Sequence, residues 1–420
     1  MKRVASALCL AFLLAVFAPR TALAQGVTLQ HIDTAATGVP EWIAKMAEQF
    51  REQTGITVEV TTLPIGNIQE RLLVLLAAGT PPDTSRLLPD TMPRAVKASA
   101  DLTPLVARDR IDTSLFPPGT FEFLTVKEGP EKGKLQVFPH GLWTYTTAYN
   151  VDMFNELGIA EPEDNWTWDD MLEIARRLRP SSPEVQRYSI VQPLSWTRLG
   201  VLVHHAGGQW LDSAENPRES RLLTPEVRTA MGFAYALYDN GATTGAQFRA
   251  GLAGMDNNAG PNMAQLIAES ADASGKEPFP FAWHRFPRGP STNTGPEIQL
   301  HAYGIIQGTH HIEEAWEWLK FLSLNEQSQI EYSRWSGLVP ALRPATQHYF
   351  SERAEENPSI LVFLHYFVND TTAYLRPMGW AAAGAIIDQW MIRAIRDRTI
   401  SLEEALIQAD QAINVELARQ

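Results

Sequence analysis

Residues 141–178 read GLWTYTTAYNVDMFNELGIAEPEDNWTWDDMLEIARRL, and this stretch decides the fold. Strand-forming residues run from Leu142 to Tyr149 and stop at Asn150. A short amphipathic helix over 151–157 ends at Gly158, a residue suited to the left-handed backbone of a helix end. After a loop with Pro162, Thr167 opens a second helix as its N-cap. Asp170 stands three residues later, as a capping box requires.

The N-terminal part extends the pattern. VTLQHID (27–33) reads as a strand, and 39–54 as a helix with Pro40 near its start and Gly55 past its end. ITVEVTTL (56–63) is a second strand, and 67–78 a helix ended by Gly79. Alternating strands and helices predict α/β lobes with largely parallel sheets. Ligands of such sheets sit beyond the carboxyl ends of the strands. No internal repeat, low-complexity tract or flexible linker stands out, and 179–187 and 272–278 read as surface loops.

The first residues predict export. Lys2 and Arg3 precede an apolar run over 4–18, and Ala22-Leu23-Ala24 is a small-residue cleavage site. A signal peptide of residues 1–24 leaves a chain that starts at Gln25. The apolar run is short for a membrane span. Cys9 is the one cysteine, and Leu8 before it does not suit a lipoprotein cleavage site. The mature chain then has no cysteine, so it has no disulfide or thiol chemistry. About 396 residues are too many for one core and suit two lobes. The formal charge of −13 becomes about −16 once Lys2, Arg3 and Arg20 leave with the leader. That field disfavours nucleic acid and anionic membranes.

Catalytic and cofactor patterns are missing from the sequence. The adjacent pairs His204-His205 and His310-His311 do not converge on one metal from a helix. There is no His-Glu-x-x-His, no cysteine cluster, no P-loop and no glycine-rich dinucleotide fingerprint. Gly-x-Ser-x-Gly is absent, so a nucleophile elbow is not supported. The expected cofactor is therefore none.

Residues 141–178 resemble the "YYN-x-D-x-F-x-E-x-G … P-x-T-W-D-E-x" signature of extracellular solute-binding proteins of family 1, the maltose-binding-protein-like group that feeds sugars to ABC importers. AAGTPPD (77–83) resembles the family turn "A-x-G-x-x-P-D". FRAGLAGM (248–255) resembles "F-x-x-G-x-A-A-M", with Leu252 for the usual lysine and Gly254 for an alanine. YGI (303–305) with EEAWEWLKFL (313–322), GLVP (337–340) and LEEAL (402–406) match later family motifs in order.

The resemblance implies the type II periplasmic binding protein fold, in which crossover strands join two α/β lobes around a ligand. Expected boundaries are 25–143 with 300–338 for the first lobe, and 144–299 with 339–420 for the second. The chain should cross near 142–149, return near 295–303, and cross again near 337–344. By family position, Asp90 reads as a hydroxyl-binding carboxylate, or as the cap of a helix over 91–100. Trp143 and Tyr145 sit on the first crossover, where alternation puts both on one strand face. Ser195 and Trp196 precede a helix at the second lobe's wall. Asp256-Asn257-Asn258 stands where the family has an apolar strand; it reads as ligand contacts through Asn258 or as an early strand end. Gly260 is then the family glycine displaced by one position. Trp335 precedes the last crossover. Arg376 and Trp380 open the C-terminal helical region, and an arginine fork there can grip a hydroxyl pair, a carboxylate or a phosphate. Trp283 and His284 read as structural.

The implied function is a monomeric periplasmic protein that is not an enzyme and binds a carbohydrate or polyol for the permease of an ABC importer. Two alternatives stay open. The ligand could be a glycerol-phosphate-type compound or a uronate, or the protein could be a secreted carbohydrate-active enzyme, which would share the aromatics and carboxylates.

Overall fold

The computed structural model describes residues 26–419 apart from 37, 90, 128, 183, 214–216, 292–296, 370–373 and 376–380. The leader 1–24, Gln25, Asp90, Gly295, Arg376 and Trp380 therefore lie outside the described residues. Among those described, no helix is long and apolar enough to cross a membrane.

The chain begins with β1 (Thr28–Thr34), α1 (Val39–Thr54), β2 (Thr57–Leu63), α2 (Ile68–Ala77) and β3 (Thr84–Leu87). Next come β4 (Phe138–Thr144) and β5 (Thr146–Asn150), then α3 (Trp168–Leu178), β6 (Tyr188–Val191), α4 (Trp196–His205) and α5 (Pro225–Asp239). β7 (Ala253–Ala259), α6 (Met263–Ser274), β8 (Phe281–His284) and β9 (Glu297–Ile305) follow. The remainder is α7 (Ile312–Leu324), α8 (Glu326–Ser336), β10 (Val339–Pro340), α9 (Arg343–Arg353), β11 (Tyr374–Leu375), α10 (Ala381–Met391) and α11 (Leu402–Leu417).

Local chemistry explains several element ends. Thr167 and Asp170 form the full reciprocal capping box of α3. Gly55 ends α1 at φ 77°, where a side chain would be strained. Asn150 ends β5 and caps the helix Val151–Glu156 by accepting from the Met153 N–H.

Two sheets result. The first runs β10-β4-β9-β3-β1-β2, with β11 pairing β9; the second runs β6-β7-β5-β8. β1 is parallel to β2 and β3, but β9 is antiparallel to both β3 and β4. In the second sheet β6 and β7 are parallel, and β5 is antiparallel to β7 and β8. The sheets are thus mixed rather than largely parallel. The reason is topological: strands that enter from the other lobe run against the local βα units.

The run 142–149, read above as one strand, is two. β4 ends at Thr144 in the first sheet and β5 starts at Thr146 in the second, so the chain changes sheets at Tyr145. β9 carries it back, beginning at Glu297. β10 then pairs with β4, Val339 opposite Leu142 and Pro340 opposite Gly141. α9 leads on towards the second sheet, where Phe350 stacks on Phe363, itself 6.0 Å from Trp283 of β8.

Most tryptophans serve the core. Trp42, Trp316 and Trp318 are buried in an apolar cluster that fills the first lobe and continues through Met263 and Phe350 to Trp283. A second cluster covers the other face of the second sheet, with Trp168 stacked on Phe233 at 4.2 Å. Stacked pairs of this kind add to simple area burial.

One buried ion pair interrupts the first core. Arg86 on β3 donates to Asp33 on β1 at 2.8 Å, and both side chains are almost wholly buried. Tyr303 donates to the same carboxylate at 2.9 Å, the Thr34 N–H at 2.6 Å, and Arg86 also donates to Tyr332 of α8. Burial alone would raise the Asp33 pKa; Arg86, His31 and the Thr34 N–H outweigh it and hold the carboxyl well below the usual range. Burial, aided by Arg86, pushes neighbouring His140 down to about 3, so this imidazole is neutral. A buried pair of this kind is costly to break from one side, because the remaining charge stays in low dielectric. Asp33→Asn or Arg86→Met alone should each destabilise by about 3–5 kcal/mol. The double variant Asp33→Asn/Arg86→Met should lose clearly less than the sum of the singles in urea unfolding. Additive losses would show that the two groups are not coupled.

Candidate functional site

Strand ends from both sheets meet where the chain changes sheets. Trp143, near the end of β4, rests against Gly260, which directly follows β7. Gly260 also accepts a hydrogen bond from Trp283 Nε1 at 3.0 Å. Tyr145 lies 6.5 Å from Trp143, centroid to centroid. On the same side Asn262, two residues past Gly260, packs on Gly337 at the end of α8. Gly260, Trp143 and Tyr145 therefore belong to one neighbourhood, while Asn258 and Trp335 stand two residues before Gly260 and Gly337 in the chain.

β7 keeps its polar residues in the ladder. Asn257 donates to Gln192 Oε1 at 3.0 Å and accepts from Thr147 Oγ1 at 2.9 Å. Asp256 accepts the Asn258 N–H at 2.7 Å. The strand continues to Ala259, so the early strand end considered for 256–258 does not occur. The Asn257 side chain and the Asn258 N–H are thus satisfied inside the sheet, which an apolar strand would not require.

Three buried polar atoms at the junction have no hydrogen-bond partner among the described residues: Trp143 Nε1, Asn258 Oδ1 and Asn262 Oδ1. One is a donor and two are acceptors. Hydroxyl groups both donate and accept, so a polyhydroxylated molecule matches this set chemically. Leaving such atoms unpaired in the folded state is unfavourable, and a ligand that engages them removes that cost.

Ser195 and Trp196 stand at the start of α4, beside the same neighbourhood. Arg198, in the first turn, places its guanidinium 4.2 Å from the Tyr145 ring centroid. Tyr145 is itself buried, so it shapes the junction from beneath. Ser195 supplies no side-chain cap to α4; its hydroxyl lies 3.1 Å from that of Thr197. Asp388 from α10 accepts the Trp196 N–H instead. Burial pushes the Asp388 carboxyl up to about 6, against the pull of that N–H. The Trp196 ring packs against Gly384 of α10. It therefore helps to build the second lobe's wall. Trp335 is 55% exposed on α8 and contacts Gly38 at the start of α1, which leaves a large part of the indole for stacking.

Sequence reasoning missed Arg198, Asn262 and Asp388. Arg198 and Asn262 lie within three residues of chosen positions, and only the packing separates them from their neighbours. Among the described residues no three His, Cys, Asp or Glu side chains are grouped as a metal ion needs.

Asp256 has a consequence for stability. Burial pushes its carboxyl up to about 7, against the Asn258 N–H and the charges of Arg249 and Arg198. Between about pH 4 and pH 7 the folded chain keeps a proton that the unfolded chain has lost. Stability contributed by this group therefore falls as pH rises through that window, and the cost is complete above it. Asp256→Asn keeps an acceptor for the Asn258 N–H and removes the charge. At pH 8 it should stabilise the protein by on the order of 3 kcal/mol, with the gain gone by about pH 4. Melting curves of both proteins across that range check this, and identical melting temperatures at pH 8 would refute it.

The family model described as bacterial extracellular solute-binding protein matches residues 35–329. No curated protein sequence matches the chain. Similar solved structures include the ABC substrate-binding protein Lmo0181 from Listeria monocytogenes in complex with cycloalternan, at 20% identity and TM-score 0.76, covering 93% of this chain and 99% of that one. Maltose-bound T. maritima MalE3 is 20% identical with TM-score 0.73, over 94% of this chain and 99% of that one. An ABC transporter solute-binding protein from Agrobacterium radiobacter in complex with ribitol is 18% identical with TM-score 0.74, over 93% and 98%. At these identities the likeness is one of fold, the two-lobed type II periplasmic binding protein architecture.

Proposed function

The chain belongs to the family of bacterial extracellular solute-binding proteins, and from that premise we propose that it captures a carbohydrate or polyol between its two lobes and delivers it to the permease of an ABC importer. The observation that carries this reading is the set of unpartnered buried polar atoms on Trp143, Asn258 and Asn262 at the junction of the two sheets. Aromatic faces cover the apolar C–H surfaces of a sugar ring, and fixed donors and acceptors replace water at its hydroxyls. Solved relatives that hold cycloalternan, maltose and ribitol support the ligand class. The protein acts as a monomer with one ligand per chain. It is exported by the leader 1–24 to the periplasm and turns no substrate over.

Trp143, Asn258, Gly260 and Trp335 form the centre of the proposed site, with Asn262 added from the geometry. Tyr145, Ser195 and Trp196 border it. Asp90, Arg376 and Trp380 complete it by family position. The lobes turn about the three crossings, near 142–149, 295–303 and 337–344.

Closure on a ligand stabilises the folded state by mass action. A thermal-shift series with neutral mono- and oligosaccharides, polyols, uronates and glycerol phosphates should give a concentration-dependent rise with one neutral group. Shifts with anionic compounds alone would reassign the ligand class. Trp143→Ala should weaken the ligand's Kd by about tenfold or more. An unchanged Kd would remove Trp143 from the site. Steady release of reducing ends from a polysaccharide would overturn the binding-only reading.

A further inference from the structure

Two glycines at the junction act as seats for side chains from the opposite lobe. Trp143 extends from β4 in the first sheet and rests on Gly260, which follows β7 of the second. A Cβ on Gly260 would lie 2.9 Å from both Cζ2 and Cζ3 of the indole, closer than carbon atoms pack. Asn262 makes the reciprocal contact. It precedes α6, beyond β7, and its side chain rests on Gly337, the C-cap of α8. A Cβ on Gly337 would lie 2.8 Å from the Cβ of Asn262. Pro261, buried between the two contact residues, restricts the backbone that joins them.

The sheet places the two seats side by side. β10 pairs with β4, Val339 opposite Leu142. Continued by one residue, that register sets Leu338 against Trp143 and puts Gly337 on the neighbouring strand path. Neither Trp143 Nε1 nor Asn262 Oδ1 bonds to a described residue, so both contacts are held by packing alone. Packing contacts of this kind can roll without a hydrogen bond being broken, which directional bonds would resist.

We propose, on the reading of this chain as a two-lobed binding protein, that Gly260 and Gly337 are positioning residues for ligand capture: their bare Cα atoms let Trp143 and Asn262 seat across the junction and so set how far the lobes close. A side chain at either seat would wedge the lobes apart and reduce the fraction of closed, binding-competent molecules. Apparent affinity falls in proportion to that fraction.

Gly337 is at φ 70°, so alanine there brings backbone strain as well as the wedge. Gly55 separates the two effects. It sits at φ 77° at the end of α1 with nothing within 4 Å of its would-be Cβ. Small-angle X-ray scattering of the unliganded protein reads lobe separation without any ligand. Gly337→Ala should enlarge the radius of gyration, while Gly55→Ala should leave it at the wild-type value. Asn262→Gly added to Gly337→Ala should return the radius to wild type by removing the Cβ and amide that the new methyl would meet, without restoring the melting temperature, because the backbone strain persists. With a ligand found in the thermal-shift series, Gly337→Ala should raise Kd by roughly tenfold, as a tenfold smaller closed fraction requires. A Gly337→Ala radius equal to that of wild type, or a double variant as extended as the single, overturns the proposal. Absence of any ligand for the wild-type protein would instead refute the proposed function, and the scattering comparison would still judge the seats.

Discussion

The side-by-side pairing of β4 and β10 is the constraint from which the junction follows. β4 hands the chain to the second sheet through the single residue Tyr145. Gly337 turns the chain out of α8 at positive φ, and β10 then lies against β4. Two crossings are thereby fixed at one edge of the first sheet. Everything brought together there, from Trp143 over Gly260 to Asn262 over Gly337, follows from that edge. Without the pairing, the same residues would sit on unrelated segments.

The two sheets treat buried charge differently. In the first, Asp33 is matched by Arg86, Tyr303 and a backbone N–H, so ionisation is favoured despite burial. In the second, Asp256 has one backbone donor and distant arginines, and burial prevails. Coulombic attraction falls with distance while the desolvation cost does not, so a direct guanidinium contact decides the sign. The first arrangement locks β1, β3, β9 and α8 together. The second leaves a carboxyl near neutrality beside a strand end rich in amides.

Aromatic residues divide along the same line. Trp42, Trp316 and Trp318 are core, and Trp168 on Phe233 anchors the second lobe. Trp143 remains at the junction with its Nε1 unpartnered, and Trp335, two residues before Gly337, is largely exposed. Trp196, expected at the second lobe's wall, packs on α10 and takes its N–H partner from Asp388.

The sequence by itself determined what local chemistry and family pattern carry. The capping box at Thr167 and Asp170, the helix ends at Gly55 and Gly158, and the α/β class depend on spacing within a few residues. The order of family motifs carried the two-lobed fold and most of the junction residues. Only the tertiary structure decided that 142–149 is two strands in two sheets, because both halves have the same strand propensity and the partner strands lie far along the chain. It alone kept Asp256-Asn257-Asn258 in a strand, since their hydrogen-bond partners are Thr147, Gln192 and one another rather than solvent. It alone brought Arg198 onto Tyr145 and Asn262 onto Gly337. Such contacts join residues far apart in the chain, and neither periodicity nor propensity records which of them will meet.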